Sequence, residues 1–161
     1  MIRYLLPLFC TIALHTSPPP QIISVAGGVF NVLRSNNKAA MVQLEYKGIP
    51  FWGKEHFFIR PMLTAMGTFQ GSLFAAGGIA FDIPLGTYAF ITPSFATGFY
   101  VKNGGKDLGY PIENRSAIEI SAAFKRGYRL GFQFYHLSNG SLSRTNPGAE
   151  CLLLQLSIPI N

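Results

Sequence analysis

Two residues with the chemistry of a hydrolase stand close together in the segment FYHLSNG at 134–140. His136 and Ser138 are two positions apart, so in a β-strand they project from the same face, with Cα atoms about 6.6 Å apart. Rotamers that lean toward each other would bring the hydroxyl within hydrogen-bond reach of the imidazole. This arrangement suits a serine nucleophile activated by a neighbouring general base.

Glu150 adds a third functional group, twelve residues after Ser138. It begins the last apolar segment, which as an antiparallel neighbour would lie beside the segment that carries His136. A carboxylate there can accept from the second imidazole nitrogen and hold the ring in one tautomer. A blander alternative stays open on geometry alone. The three polar residues would then only mark the headgroup boundary of a membrane-facing stripe.

The composition predicts an apolar environment for the whole chain. Of the 161 residues, 48% are hydrophobic and 12% charged, whereas soluble domains carry about 25% charged residues. A membrane helix needs roughly 20 consecutive apolar residues, and later apolar stretches such as 73–86 are short and broken by Gly, Pro or polar residues. Because the backbone must pair internally in hydrocarbon, we expect an all-β fold, namely an eight-stranded antiparallel transmembrane β-barrel.

Turn signals recur at barrel-like spacing and divide the chain into eight predicted strands. If the first strand leaves the periplasm, the two long polar connections at 101–113 and 139–149 fall outside the cell, as is typical of outer-membrane barrels. The connection at 48–54 is longer than an ideal inner turn. The strands are predicted near 22–34, 39–47, 55–67, 70–83, 87–100, 114–125, 128–138 and 150–160.

Alternation along the last three strands predicts which side chains face lipid. Parity groups His136, Ser138 and Glu150 with the apolar, lipid-facing set. A soluble β-sandwich also alternates, but the low charge and the N-terminal region favour the barrel. The lipid-facing set is Ile118, Ile120, Ala122, Phe124, Leu130, Phe132, Phe134, Leu152, Leu154, Leu156, Ile158 and Ile160. The inward set is Glu119, Ser121, Lys125, Arg129, Gln133, Tyr135, Gln155 and Ser157.

The N-terminal region is typical of a secretory signal peptide. Arg3 precedes a short apolar run from Tyr4 to Leu14, and the polar segment HTSPPPQ follows at 15–21. We therefore predict a signal peptide over 1–20 and one barrel domain over 21–161. Cys10 is a poor lipoprotein acceptor because Phe9 precedes it. Export of such a chain implies the outer membrane of a Gram-negative bacterium.

The remaining reactive residue types give weaker signals. The formal charge is +6, but no cluster of Lys and Arg exceeds two adjacent residues, which argues against nucleic acid and suits phosphates at a membrane surface. Cys151 is the only cysteine after the signal region, and packing is a better interpretation than a thiol nucleophile. His56 falls in a predicted strand without a partner at metal-ligand spacing, so we expect it to be structural.

The segment FYHLSNGSLSRTNPGAE at 134–150 combines an H-x-S-N element, an N-P-G turn and the glutamate. With the preceding strands and the closing Ile158–Pro159–Ile160, it resembles the outer-membrane lipid A 3-O-deacylases over about residues 114–161. The resemblance implies that Ser138 attacks an ester carbonyl, with His136 as base and Glu150 as the orienting group. It implies no cofactor and no metal.

The same resemblance suggests that Asn146 donates to the oxyanion, helped by backbone N–H groups around Asn139 and Gly140. Asn139 could equally be a turn former, because N-G and N-P-G are turn signals. Lipid A, or lipopolysaccharide, would reach the site by diffusing among the outer-membrane lipids. Its phosphates would meet basic residues at the outer rim, for which the candidates are Lys102, Lys106, Arg115 and Arg144.

Two other functions remain compatible with the sequence. A phospholipase or acyltransferase of the same membrane would keep the three catalytic residues and change the product. A non-enzymatic structural barrel would have no use for Ser138. The sequence also leaves open whether the barrel is a monomer or a homodimer.

Overall fold

Nearly all of the regular structure in the described part of the chain is β-strand. The computed structural model describes residues 19–54 and 56–160, so residues 1–18 of the predicted signal peptide, with Cys10, lie outside the described residues. The strands are β1 (Gln21–Phe30), β2 (Ala39–Lys47), β3 (Trp52–Lys54), β4 (Phe57–Thr68), β5 (Leu73–Leu85), β6 (Ala89–Val101), β7 (Ile112–Ala123), β8 (Arg129–Ser138) and β9 (Ala149–Ile160).

Eight long antiparallel strands close into a barrel, which confirms the predicted fold class. Neighbouring strands pair in the order β2-β1-β9-β8-β7-β6-β5-β4, and the pairing of β2 with β4 completes the circle. Their lengths of 9 to 13 residues match the span of a membrane β-strand. No helix among residues 19–54 and 56–160 is long and apolar enough to cross a bilayer.

Three predicted boundaries were wrong. The connection at 48–54 contains the short strand β3, which folds back onto Phe57–Ile59 of β4. The first strand ends at Phe30 instead of residue 34, because Asn31 adopts a left-handed backbone with φ of 58°. His56 lies exposed in the turn before β4, where it is not packed as expected.

Side chains alternate strictly between the interior and the lipid-facing wall. Ile118, Ile120 and Phe132 are exposed on the wall, whereas Glu119 and Gln133 are buried inside the barrel. The prediction for Lys125 was wrong. β7 already ends at Ala123, and Lys125 lies exposed in a 3₁₀ turn (Lys125–Gly127) in which Arg126 has φ of 64°.

Ion pairs and amides fill the middle of the barrel. Lys47 Nζ lies 2.5 Å from Glu119 Oε2 and 3.3 Å from Glu45 Oε1. Arg115 Nη2 lies 3.0 Å from Glu45 Oε2 and donates to Gln133 Oε1 at 2.7 Å. The two acids and two bases of this cluster therefore lie close enough to neutralise each other away from water.

A second charged cluster surrounds Asp82 on β5. Its carboxylate accepts two bonds from Arg129, at 2.6 and 3.1 Å, and a third from Arg60 Nε at 3.2 Å. A second nitrogen of Arg60, Nη1, donates to the backbone carbonyls of Pro20 and Gly48. Asp82 thus joins the strands β4, β5 and β8 inside the barrel.

The two ends of the barrel differ. The loop end carries the connections after β1, β4, β6 and β8, including the long segments 102–111 and 139–148. Beneath these loops lies an apolar cluster in which Phe30 stacks on Tyr100 at 6.4 Å and Leu108 of segment 102–111 is fully buried. The other end carries the remaining connections, together with the beginning of β1 and the end of β9.

We predict that Asp82→Asn leaves Arg60 and Arg129 facing each other and lowers the free energy of unfolding by about 3–5 kcal/mol. Urea unfolding of the barrel in lipid vesicles measures this change. Asp107→Asn is the matched control, because Asp107 pairs with Lys102 on an exposed loop, where ion pairs contribute little. Equal stability of the two variants would contradict the assigned role of Asp82.

Candidate active site

His136 and Ser138 lie near the loop end of β8 and face the lipid side, as the alternation predicted. Their neighbours along that face are the exposed Phe132 and Phe134, while Tyr135 and Leu137 between them are buried inside. The imidazole is 43% exposed. The site therefore opens on the outer wall of the barrel and not into its interior.

Glu150 is the direct cross-strand partner of His136. The register of β8 and β9 sets the two residues opposite each other, and His136 Nδ1 lies 3.3 Å from Glu150 Oε1. The other carboxylate oxygen of Glu150 is buried and has no hydrogen-bond partner within the described part of the chain. A carboxylate at this distance can accept Nδ1–H, which would leave Nε2 as the unprotonated ring nitrogen.

Ser138 lies on the same face as His136 and Glu150 but is not hydrogen-bonded to the imidazole. Among the hydrogen bonds of the described residues, none joins the Ser138 hydroxyl to His136. Both side chains project from the same face of β8, two residues apart. Catalytic hydrogen bonds in empty sites are often long and tighten only when substrate binds.

Gly148 forms the back wall of the imidazole, a role that the sequence did not suggest. A Cβ atom built on Gly148 would lie 2.7 Å from His136 Cε1 and 3.2 Å from Nε2. The residue also has a left-handed backbone with φ of 58°. Only glycine combines that conformation with so close an approach. The N-P-G sequence was a visible turn signal, but its contact with the ring depends on the pairing of β8 with β9.

The two asparagines of the loop after β8 have different surroundings. Asn139 is fully buried, and its Nδ2 donates to the carbonyls of Leu108 and Thr145. Its backbone N–H donates to Asn146 Oδ1 at 3.1 Å. These bonds favour the turn-forming role for Asn139. Asn146 is exposed, and with its Oδ1 engaged, its Nδ2 group is left free to donate among the described residues.

The basic residues expected to meet phosphates at the rim were partly misassigned. Arg115 is buried in the barrel interior, as its parity with Glu119 required. Lys106 is also buried, and its Nζ donates to Gly148 O at 2.5 Å and to Asn31 Oδ1 at 2.8 Å. Lys102 is exposed but pairs with Asp107, whose pKa is lowered by this hydrogen bond. Arg144 remains exposed in its loop.

A shallow apolar groove of about 400 Å³ runs along the wall and ends at the imidazole. It crosses four strands from β5 to β8, and it opens sideways to the surroundings of the barrel. The sequence predicted an apolar stripe near His136 but not this groove, because β5 and β6 lie next to it only after the barrel has closed. The lining residues include Phe81, Pro93, Phe95, Ile118, Phe134 and His136.

Asn114 is a further polar residue at the site that the sequence did not single out. It lies on β7 directly across from Ser138, and its Oδ1 accepts a hydrogen bond from Thr97 Oγ1 at 2.7 Å. Its Nδ2 lies 3.0 Å from the position of a Cβ atom on Gly140. Thr97 and Asn114 therefore add polar groups to the wall beside Ser138.

Cysteine and metal-binding chemistry were the other possibilities that the sequence raised. Cys151 is a free, fully buried cysteine inside the barrel next to Tyr135. Its position agrees with the packing interpretation. Within residues 19–54 and 56–160, no three His, Cys, Asp or Glu side chains are grouped as a metal site would require.

Comparisons with known proteins identify the family of the chain and support its fold. Residues 36–159 match the family model described as lipid A 3-O-deacylase (PagL). The crystal structure of the outer membrane enzyme PagL superposes with a TM-score of 0.69 at 17% identity, covering 86% of this chain and 99% of that chain.

A structure from the de novo design of transmembrane β-barrels gives a TM-score of 0.60 at 7% identity, covering 89% of this chain and 98% of that chain. No curated protein sequence matches the chain. The two structural likenesses support the fold, and the family model spans most of the sequence. The chain therefore belongs to the lipid A 3-O-deacylase (PagL) family of outer-membrane β-barrel hydrolases.

Proposed function

We propose that the chain is a serine esterase that removes the ester-linked 3-hydroxyacyl chain from the 3-position of lipid A in the outer leaflet. The main support is the His136–Glu150 pair on the lipid-facing wall, with Ser138 beside it. Ionisable groups facing lipid are costly, and they mark functional sites by default. A substrate already dissolved in the leaflet reaches such a site by lateral diffusion.

In the first half of the proposed reaction, the Ser138 hydroxyl attacks the ester carbonyl carbon while His136 Nε2 takes its proton. Glu150 orients the ring through Nδ1 and stabilises the imidazolium that forms. The tetrahedral adduct then collapses. The bond to the sugar oxygen breaks, and the sugar 3-hydroxyl leaves with the proton from the imidazolium.

In the second half, water hydrolyses the acyl ester on Ser138. His136 takes a proton from the water as it attacks the acyl carbonyl carbon and returns a proton to the departing Ser138 oxygen. The products are a 3-hydroxy fatty acid and the regenerated serine. Both halves use only the residues on this wall and a water molecule.

Asn146 is the proposed donor to the oxyanion, together with the backbone N–H of Gly140. The bond from the Asn139 N–H to Asn146 Oδ1 supports this role, because it fixes which end of the amide is free to donate. Preorganised donors of this kind contribute about 10²–10³ in rate. Asn139 would act indirectly, by holding the loop and Asn146 in place.

The groove that ends at His136 is the proposed site of the acyl chain. Its lining is almost wholly apolar, and it begins where the reacting carbonyl would lie. Each methylene transferred from a polar to an apolar environment contributes about 0.8 kcal/mol. In a bilayer this gain is smaller, so the groove would mainly align the chain with Ser138 and only partly strengthen binding.

We predict that Ser138→Ala and His136→Ala lower the rate of deacylation by about 10⁴-fold or more. Glu150→Ala should lower the rate by a factor that is about 10² smaller. Mass analysis of lipid A incubated with purified protein measures the product. Circular dichroism verifies that each variant keeps its β-structure, and Ser35→Ala, on an exposed loop, is the control. A Ser138→Ala variant that retains activity would refute the mechanism.

Asn146→Asp separates the oxyanion role from a role in the turn. Aspartate keeps the acceptor for the Asn139 N–H but removes the amide donor and adds negative charge. We expect kcat to fall by about 10²-fold or more, with KM little changed. Rates close to those of the unmodified protein would assign Asn146 to the turn alone.

Ile118→Trp tests the groove, because the indole would fill it. We expect the rate on lipid A to fall about tenfold or more, because an acyl chain displaced from the groove would misalign the ester carbonyl with Ser138, while a soluble short-chain ester is hydrolysed normally. Ile120→Trp is the matched control, since Ile120 lies on the same face of β7 and does not line the groove. An equal effect of both substitutions on lipid A would argue against this acyl site.

A further inference from the structure

Lys106 is a buried lysine that reaches from one loop to the edge of the candidate active site. It belongs to the segment 102–111 between β6 and β7 and is 7% exposed. Its Nζ donates to Gly148 O at 2.5 Å and to Asn31 Oδ1 at 2.8 Å. The ammonium group of Lys106 thus links its own loop to the loops that contain Gly148 and Asn31.

One residue held by Lys106 contacts the imidazole directly, and the other is linked to Glu150 through its neighbour in the chain. Gly148 packs against the Cε1–Nε2 edge of the imidazole, where a Cβ atom would come within 2.7 Å of the ring. Asn31 is followed by Val32, whose N–H donates to the Glu150 carbonyl at 2.8 Å. A shift of Gly148 or of Asn31 would therefore displace the wall behind the imidazole or the strand end that carries the carboxylate.

We infer that Lys106 is a positioning residue for the His136–Glu150 pair, acting through the Gly148 carbonyl and the Asn31 side chain. This inference rests on the proposed catalytic roles of that pair. The two hydrogen bonds keep Gly148 against the ring, so that Nδ1 stays directed at Glu150 and Nε2 stays available to Ser138.

The charged groups around the imidazole come from several elements. Glu150 faces it from β9, Lys106 approaches from segment 102–111, and Arg34 lies beyond Lys106 in the connection after β1. On β7 the residue opposite His136 is the uncharged Ser116. Burial lowers the pKa of Lys106 and Arg34 lowers it further, while Glu150 raises it, so the lysine is electrostatically coupled to both neighbours.

A positioning role predicts which kinetic constant changes. Gly148 lies against the imidazole and Glu150 pairs with it, so losing the Lys106 hydrogen bonds should lower kcat and leave KM nearly unchanged. A lysine that only stabilised the loops would lower the free energy of unfolding without lowering the kcat of the folded protein.

The test compares Lys106→Met and Lys106→Gln with the unmodified full-length protein, using purified lipid A in detergent micelles. We expect kcat to fall about tenfold, as for the loss of a hydrogen bond to a charged group, with KM nearly unchanged. Lys106→Arg keeps a cation and its donors and should recover most of kcat. Lys38→Met, at an exposed lysine of the same end, should change nothing.

Two outcomes would overturn the inference. The first is an unchanged kcat in the Lys106 variants, measured alongside an inactive Ser138→Ala. The second is a fall in kcat that Lys106→Arg does not recover. If Lys106→Met does not fold, Lys106→Gln decides by the same measurements. Activity retained in Ser138→Ala would instead refute the proposed catalytic roles, and the inference with them.

Discussion

Hydrocarbon cannot hydrogen-bond to a protein, and this constraint governs both the barrel and the site on its wall. Each of the eight long strands pairs on both sides, so no backbone edge faces lipid. A polar side chain on the same wall is stabilised when it pairs with a side chain on a neighbouring strand. His136 lies beside Glu150 because the register of β8 and β9 sets the two residues opposite each other. The pairing that makes these groups tolerable on the wall is also the pairing that orients the imidazole.

The rest of the molecule keeps that wall in one conformation. Inside the barrel, Arg115 and Gln133 lie on the inner faces of β7 and β8, where hydrogen bonds join them to each other and to Glu45. At the loop end, Lys106 and Asn139 tie neighbouring loops together through buried hydrogen bonds. Chemistry on an outer wall has no pocket to enclose it, so the precision of the site depends on these interior and loop contacts.

Local periodicity was enough to predict the barrel and the shared face of the three candidate catalytic residues, because alternation with period two is a property of each strand alone. It also predicted that Glu150 would meet His136, since the strands are adjacent in the chain. The hydrogen bonds from Lys106 to Gly148 and Asn31 were not predictable, because they depend on where three distant loops meet. Arg115 was wrongly expected at the rim because of its charge. Its parity with Glu119 places it inside the barrel.

A fluorophosphonate ester tests the central claim most directly, because it forms a covalent bond only with a serine that a general base activates. After reaction of the purified barrel in detergent, peptide mass analysis identifies the modified residue. We expect one adduct, on Ser138, and none when His136 is replaced by alanine. An active protein that leaves Ser138 unmodified, or carries the adduct on another residue, would contradict the assignment of a catalytic serine to the lipid-facing wall.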